Sequence, residues 1–347
     1  MTAAPKISRG NATGQKISGQ TWFLTAVAVA SCLVVGYIVL IDAPSRRGGT
    51  GEAAAAAPAS KLKLADIPFD GEQAYAFLKQ VCEPGPRPSG SAAMVAQRSM
   101  LQSYFEKLGA KVFVQPWRVA HPKTGAAVEM ANLIVQWRPE AKERILLGVH
   151  YDTRPFPDND PVNPKGRFIG ANDGASGVAL LMQLGAVMKQ YQGKLGVDFV
   201  FFDGEEFVFS DRDAYFLGST YFAEQYVDKP PAYKYRMGAV LDMVGDKDLQ
   251  ILEEENSMGW PPSRDVTKSI WATAKKLGVR EFVPRIGYKV NDDHMPLCEK
   301  AKIPVCDVID FTYPFWHTEG DTPQHCSALS LAKVGWVIQE WLKTSGK

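Results

Sequence analysis

Two hydrophobic periods run through most of the chain, but one stretch near the N-terminus has no polar stripe to set a period. Thr21 to Ile41, TWFLTAVAVASCLVVGYIVLI, holds 21 residues without a charge. As a helix at 1.5 Å per residue it would reach about 30 Å, the thickness of a bilayer core. Lys6, Arg9 and Lys16 precede it and Arg46 and Arg47 follow it, and first-helix and export logic place the body of the chain outside the cytoplasm. The expectation is a cytoplasmic tail over 1–20, a single-pass anchor over 21–41 with the lipid bilayer as its partner, and a cell-membrane location with an extracytoplasmic catalytic domain. The Gly-, Ala- and Pro-rich residues that follow read as a flexible linker over 42–62, leaving 63–347 as one large domain.

In that domain the period alternates between helix and strand. Asp70 can cap a helix through GEQAYAFLKQV, and apolar residues at Met94, Leu101, Phe105 and Leu108 predict a second helix ending near Gly109. AKVFVQPW, EMANLIVQW and RILLGVHY predict strands. Further helices are predicted over 176–191, 215–226, 266–277 and 329–342, with strands over 197–202, 237–243 and 304–309. Alternation of this kind is the mark of an α/β fold.

Composition narrows the function classes. Lys and Arg number 39 against 38 Asp and Glu, so whole-chain charge gives no case for nucleic acid and none is expected as a partner. Five Cys and no CxxC pair exclude a cysteine-rich scaffold. No GxGxxG, GxxxxGK[ST] or GxSxG motif is present, so nothing announces a nucleotide site or a serine nucleophile.

Histidines and carboxylates instead collect where predicted strands end. His150 closes ILLGVH, with Asp152 two residues on; Asp173 directly precedes a helix; Glu205 and Glu206 follow the strand ending at Phe202; Asp242 ends AVLD. Asp292, Asp293 and His294 stand in NDDHMP, and Trp316, His317 and Asp321 in FWHTEGDT. His150, Asp173, Glu206, Asp242 and His317 form a mixed nitrogen and oxygen set of the kind zinc accepts. Adjacent Glu205 could carry protons while Glu206 binds metal.

The ordered path HYDTRP, GANDGASG, FFDGEE, LDMVG, NDDHMP and WHTEGDT resembles the M28 zinc peptidase superfamily, especially its glutaminyl-peptide cyclotransferase branch. The resemblance implies a mixed, twisted β-sheet flanked by helices, zinc-aminopeptidase-like, carried here behind an N-terminal transmembrane helix. It implies Asp173, Glu206 and His317 as ligands of one catalytic Zn²⁺, with His150 and Asp242 available for a second. It further implies Glu205, Asp242 and Asp292 as the proton-handling group and Trp316 as a pocket wall, with Asp152, His294 and Asp321 in support. The activity implied is conversion of N-terminal glutamine of peptides or proteins to pyroglutamate with release of ammonia. The alternatives are an M28-type aminopeptidase with two zinc ions and a non-catalytic, membrane-tethered peptide-binding protein. The segment FVFSDRDAYFLGS carries no tryptophan where animal cyclases of this branch have one.

Overall fold

A computed structural model describes residues 59–346. Two helices open the body, α1 (Gly71–Cys82) and α2 (Ala92–Lys107). Asp70 accepts a hydrogen bond from the Gln73 N–H and Ser91 from that of Met94, each satisfying a donor that a helix start leaves free. Strands β1 (Lys111–Ala120), β2 (Ala127–Trp137) and β3 (Glu143–His150) follow, then α3 (Ala175–Val187), β4 (Gly196–Phe202), α4 (Leu217–Asp228) and β5 (Lys234–Asp242). The chain continues through β6 (Ile251–Glu253), α5 (Glu255–Gly259), α6 (Pro261–Leu277), β7 (Phe282–Ile286), α7 (His294–Glu299), β8 (Val305–Ile309) and α8 (Ala328–Thr344).

The six-stranded sheet runs in the order β1-β2-β4-β3-β5-β8. β1, β2 and β4 pair antiparallel, whereas β4, β3, β5 and β8 are parallel. A short parallel pair, β6 and β7, stands apart. The parallel strands are buried on both faces, as near-continuous apolar strands require. Leu146, Leu147, Phe199 and Phe201 are fully enclosed, each worth about 1.5–3 kcal/mol of burial.

From β3 the chain crosses to β4 on one side and later reaches β5 on the other. Such a switch in strand order leaves a crevice beyond the carboxyl ends of the strands, where ligands of open α/β sheets bind. Gly174 helps shape it. Its φ is +84°, and a Cβ there would lie 2.8 Å from His150 Cε1, so the turn into α3 tolerates only glycine beside that imidazole.

The mixed sheet flanked by helices agrees with expectation; the transmembrane helix does not. No helix among the described residues is long and apolar enough to cross a membrane. α6 and α8 have 17 residues each and carry charges along their length, too short for a hydrocarbon core of about 30 Å. Among the described residues the fold is therefore the α/β body without a spanning helix, and the expected transmembrane helix, with the bilayer partner and single-pass cell-membrane location that rest on it, is corrected to that extent. Residues 21–41, on which those expectations were placed, lie outside the described residues.

Smaller differences have local causes. α6 begins at Pro261 rather than 266, because proline is well suited to a first helical turn. The helix expected over 176–191 gives way after Val187 to a 3₁₀ turn, Met188–Gln190. β6, β7, α5 and α7 have three to six residues each, too short to display a hydrophobic period.

Candidate metal centre and active site

The carboxyl ends of β3, β4 and β5 deliver the chemistry. His150 is the last residue of β3, Asp203 to Glu206 make the turn after β4, and Asp242 is the last residue of β5. Asp173 comes from the loop before α3, and His317 from the loop after β8. His317 has φ +55° and Met243, beside Asp242, +48°. Left-handed conformations in residues other than glycine are costly, and such strain clusters at functional sites.

Two donor groups share Asp173: His150, Asp173 and Asp242, and Asp173, Glu206 and His317, with ligand-capable atoms within 4.8 Å of one another in each. His150 Nε2 lies 3.2 Å from both Asp173 Oδ1 and Asp242 Oδ1. His317 Nε2 lies 2.7 Å from Glu206 Oε1 and 3.5 Å from Asp173 Oδ2. Asp173 thus turns one oxygen toward each histidine, and Oδ2 is buried without a hydrogen-bond donor.

The electrostatics call for a cation. Burial and the Glu206 carboxylate push the Asp173 carboxyl up to about 7. Burial would lower the His150 imidazole, but Asp152, Asp173 and Asp242 outweigh it and raise it well above its ordinary range. Burial would likewise lower His317, yet Glu206 and Asp158 raise it to about 9. Glu206 moves the other way: its burial is outweighed by His317 and Arg154, which lower it to about 2. A cation that displaces those protons would meet neutral nitrogens and ionised oxygens, and at these separations such a set suits Zn²⁺, so the residues fit one such ion and, through Asp173, a second.

Neighbouring groups hold these candidate donors in place. Asp321 accepts hydrogen bonds from the backbone N–H groups of Asn172 (2.8 Å) and Asp173 (3.1 Å) and from the Tyr313 hydroxyl (2.9 Å). Asp152 accepts from the backbone N–H groups of Glu205 and Glu206, both at 3.2 Å. Outer contacts of this kind orient metal-binding side chains. Arg154 and Asp158 were not singled out from the sequence. The Arg154 backbone N–H donates to Glu206 at 2.9 Å, and its guanidinium reaches Asp158, which also faces His317 Nδ1 at 3.3 Å. Arg154 stands in HYDTRP, so the motif held the signal without the partner.

A cavity of about 360 Å³ opens on these groups and brings Glu205, Asp242, Asp292 and Trp316 to its wall. Trp316 stacks on His317, ring centres 4.0 Å apart, and packs against Phe311. Glu205 Oε2 lies 3.8 Å from His150 Nδ1. Burial, opposed by His150 and reinforced by Glu206, Asp293 and Asp292, pushes the Glu205 carboxyl well above the usual carboxylate range. A carboxyl so placed keeps a proton more readily than an ordinary carboxylate and can pass it to a neighbouring group. His294 faces Glu254 and Asp307.

Residues 132–342 match the model of peptidase family M28. The crystal structure of Fimbriiglobus ruber glutaminyl cyclase superimposes with a TM-score of 0.76 at 37% identity, over 82% of this chain and 97% of that one. A leucine aminopeptidase precursor from Bacteroides thetaiotaomicron superimposes with a TM-score of 0.74 at 33% identity, over 80% of this chain and 98% of that one. Glutaminyl-peptide cyclotransferase of Drosophila melanogaster is 24% identical over 58% of this chain, and the match spans 61% of the fly protein's length.

Proposed function

The chain belongs to peptidase family M28, and from that premise we propose that it is a zinc-dependent glutaminyl-peptide cyclotransferase, with residues 63–347 as its catalytic domain. Its catalytic fold is glutaminyl-cyclase-like, and its donor groups are consistent with a zinc-dependent enzyme. The observation that carries the reading is the pairing of a metal-capable triad, Asp173, Glu206 and His317, with a proton-holding Glu205 on the same cavity wall.

The substrate is a peptide or protein with N-terminal glutamine. Asp173, Glu206 and His317 would hold Zn²⁺, which when bound supplies Lewis acidity toward the side-chain carbonyl oxygen. The cavity holds the α-amine against the side-chain carbonyl carbon, so a C–N bond forms within one molecule and no Ser or Cys nucleophile is needed. Glu205 takes the proton that the amine loses and returns it to the departing amide nitrogen, which leaves as ammonia when its C–N bond breaks. Asp242 and Asp292, on the same wall, support that proton, and Trp316 limits the space around the cyclising side chain.

One observation favours a second reading, aminopeptidase action. Asp173 offers a separate oxygen to each of two histidines, the arrangement that would let it bridge two ions while Glu205 activates water. Incubating the protein with a Gln-initiated and a Leu-initiated peptide separates the two. Cyclisation gives a product lighter by one ammonia from the first peptide only. Release of free N-terminal amino acids would instead establish the peptidase.

A further inference from the structure

A third donor group shares no residue with the other two. Asp292, His294 and Asp307 also bring ligand-capable atoms within 4.8 Å of one another, and their exposures are 4%, 1% and 0%. They come from three places: the loop before α7, the first residue of α7, and the middle of β8. Asp292 Oδ2, both Asp307 side-chain oxygens and both His294 nitrogens lack hydrogen-bond partners. Among the described residues no Lys or Arg pairs with Asp292 or Asp307, and His294 Nδ1 stands 3.6 Å from Asp307 Oδ2. Buried carboxylates with such sparse partners are too costly to leave ionised, and must take up a proton or a cation.

Glu254 decides what the imidazole offers. Its carboxylate accepts from the backbone N–H groups of Asn256 (2.8 Å), Ser257 (2.6 Å) and Val290 (3.0 Å), which fixes it as an ionised acceptor. Its Oε2 lies 3.4 Å from His294 Nε2. No hydrogen bond forms at that distance, but the negative charge on that side favours the tautomer protonated at Nε2 and leaves the Nδ1 lone pair toward the aspartates. At 3.6 Å, Nδ1 and Asp307 Oδ2 are too far apart for a hydrogen bond. Tetrahedral bonds of about 2.0–2.1 Å separate two ligand atoms by about 3.4 Å, and the His317–Asp173 contact of the first site is 3.5 Å. A proton on Nδ1 would answer one carboxylate; a divalent cation answers both and uses the lone pair.

We propose that Asp292, His294 and Asp307 bind a further divalent cation of the zinc or manganese class, with Glu254 orienting His294. The ion ties α7 to β8 behind Asp292, and so braces one wall of the active-site cavity from outside it. This assignment stands whether the enzyme is a cyclase or a peptidase. It is tested by metal analysis of the full chain after equilibration with Zn²⁺ and removal of the unbound ion. Asp307→Asn is expected to carry one equivalent less than the unaltered protein, while Glu206→Gln loses metal from the first site and keeps this one. Equal metal content in Asp307→Asn and the unaltered protein overturns the proposal. Should Asp307→Asn fail to fold, anomalous diffraction from crystals of the unaltered protein grown with Zn²⁺ decides. A peak between His294 Nδ1, Asp292 and Asp307 supports the site; no peak, with Nδ1 closed to hydrogen-bonding distance of Asp307, overturns it.

Discussion

The same strands carry buried charge at both ends, and the two ends treat it differently. Where β3 and β4 begin, Arg144 and Asp198 are both fully enclosed and paired, Nε to Oδ1 at 2.9 Å. The Tyr235 hydroxyl and the Gln136 amide donate to the other Asp198 oxygen at 2.6 and 3.1 Å. Every charge there has a protein partner. Where the strands finish, His150, Asp173, Glu206 and Asp242 gather more carboxylates than protein cations can answer. A closed pair is structural: it satisfies itself and can hold nothing else. The surplus at the other end is what gives the fold affinity for a metal ion, and with it chemistry.

That contrast can be broken at either end. The largest effect is expected at the reacting end without any loss of fold: Glu205→Gln should lower turnover of a Gln-initiated peptide by about 10²–10⁴-fold, with bound zinc and the urea midpoint unchanged. Near-normal turnover would remove Glu205 from the proton path. At the closed end the expectation reverses. Arg144→Met leaves Asp198 buried without its cation and should cost about 3–5 kcal/mol in urea unfolding, while turnover per folded molecule stays the same.

Between these lies Asp321, which is buried off the cavity wall but holds the backbone of Asp173. Asp321→Asn should weaken zinc affinity about 10–100-fold, measured by competition with a chelator, with little change in kcat at saturating zinc. The smallest effect concerns a second closed pair, Lys333 and Glu281, 2.7 Å apart and buried. Burial would raise the Glu281 carboxyl, but Lys333 and hydrogen bonds including that from Ser60 outweigh it and hold it below the usual range. A depressed carboxylate contributes stability above its unfolded value of about 4.3, lost as pH falls through the folded value. The unaltered protein should therefore lose more stability than Glu281→Gln across that acid window; parallel urea midpoints would show the pair to be neutral.

The two ends also differ in how well they could be read from the sequence. Charges directly after apolar runs, as in ILLGVHYD and FFDGEE, stand out because a strand end must meet solvent or a ligand, and these residues do converge. Asp198 and Asp307 sit inside apolar strands, and their surroundings come from other elements: Arg144 for one, the His294 and Asp292 segment for the other. No local period encodes such cross-chain pairings. The order of helices and strands was legible because the long elements carry a local signal, such as the buried stripe of α1 and α6 or the near-continuous apolar run of β3 and β4. The membrane span was inferred from hydropathy alone, and the described chain holds no helix of that kind.

The acidic end should work only with a cation in it. Strip the full chain with chelator, then titrate Zn²⁺ back while following ammonia release and pyroglutamate formation from a Gln-initiated peptide. Turnover should be absent in the metal-free protein and return in step with zinc bound. Full cyclisation by metal-free protein would contradict the account.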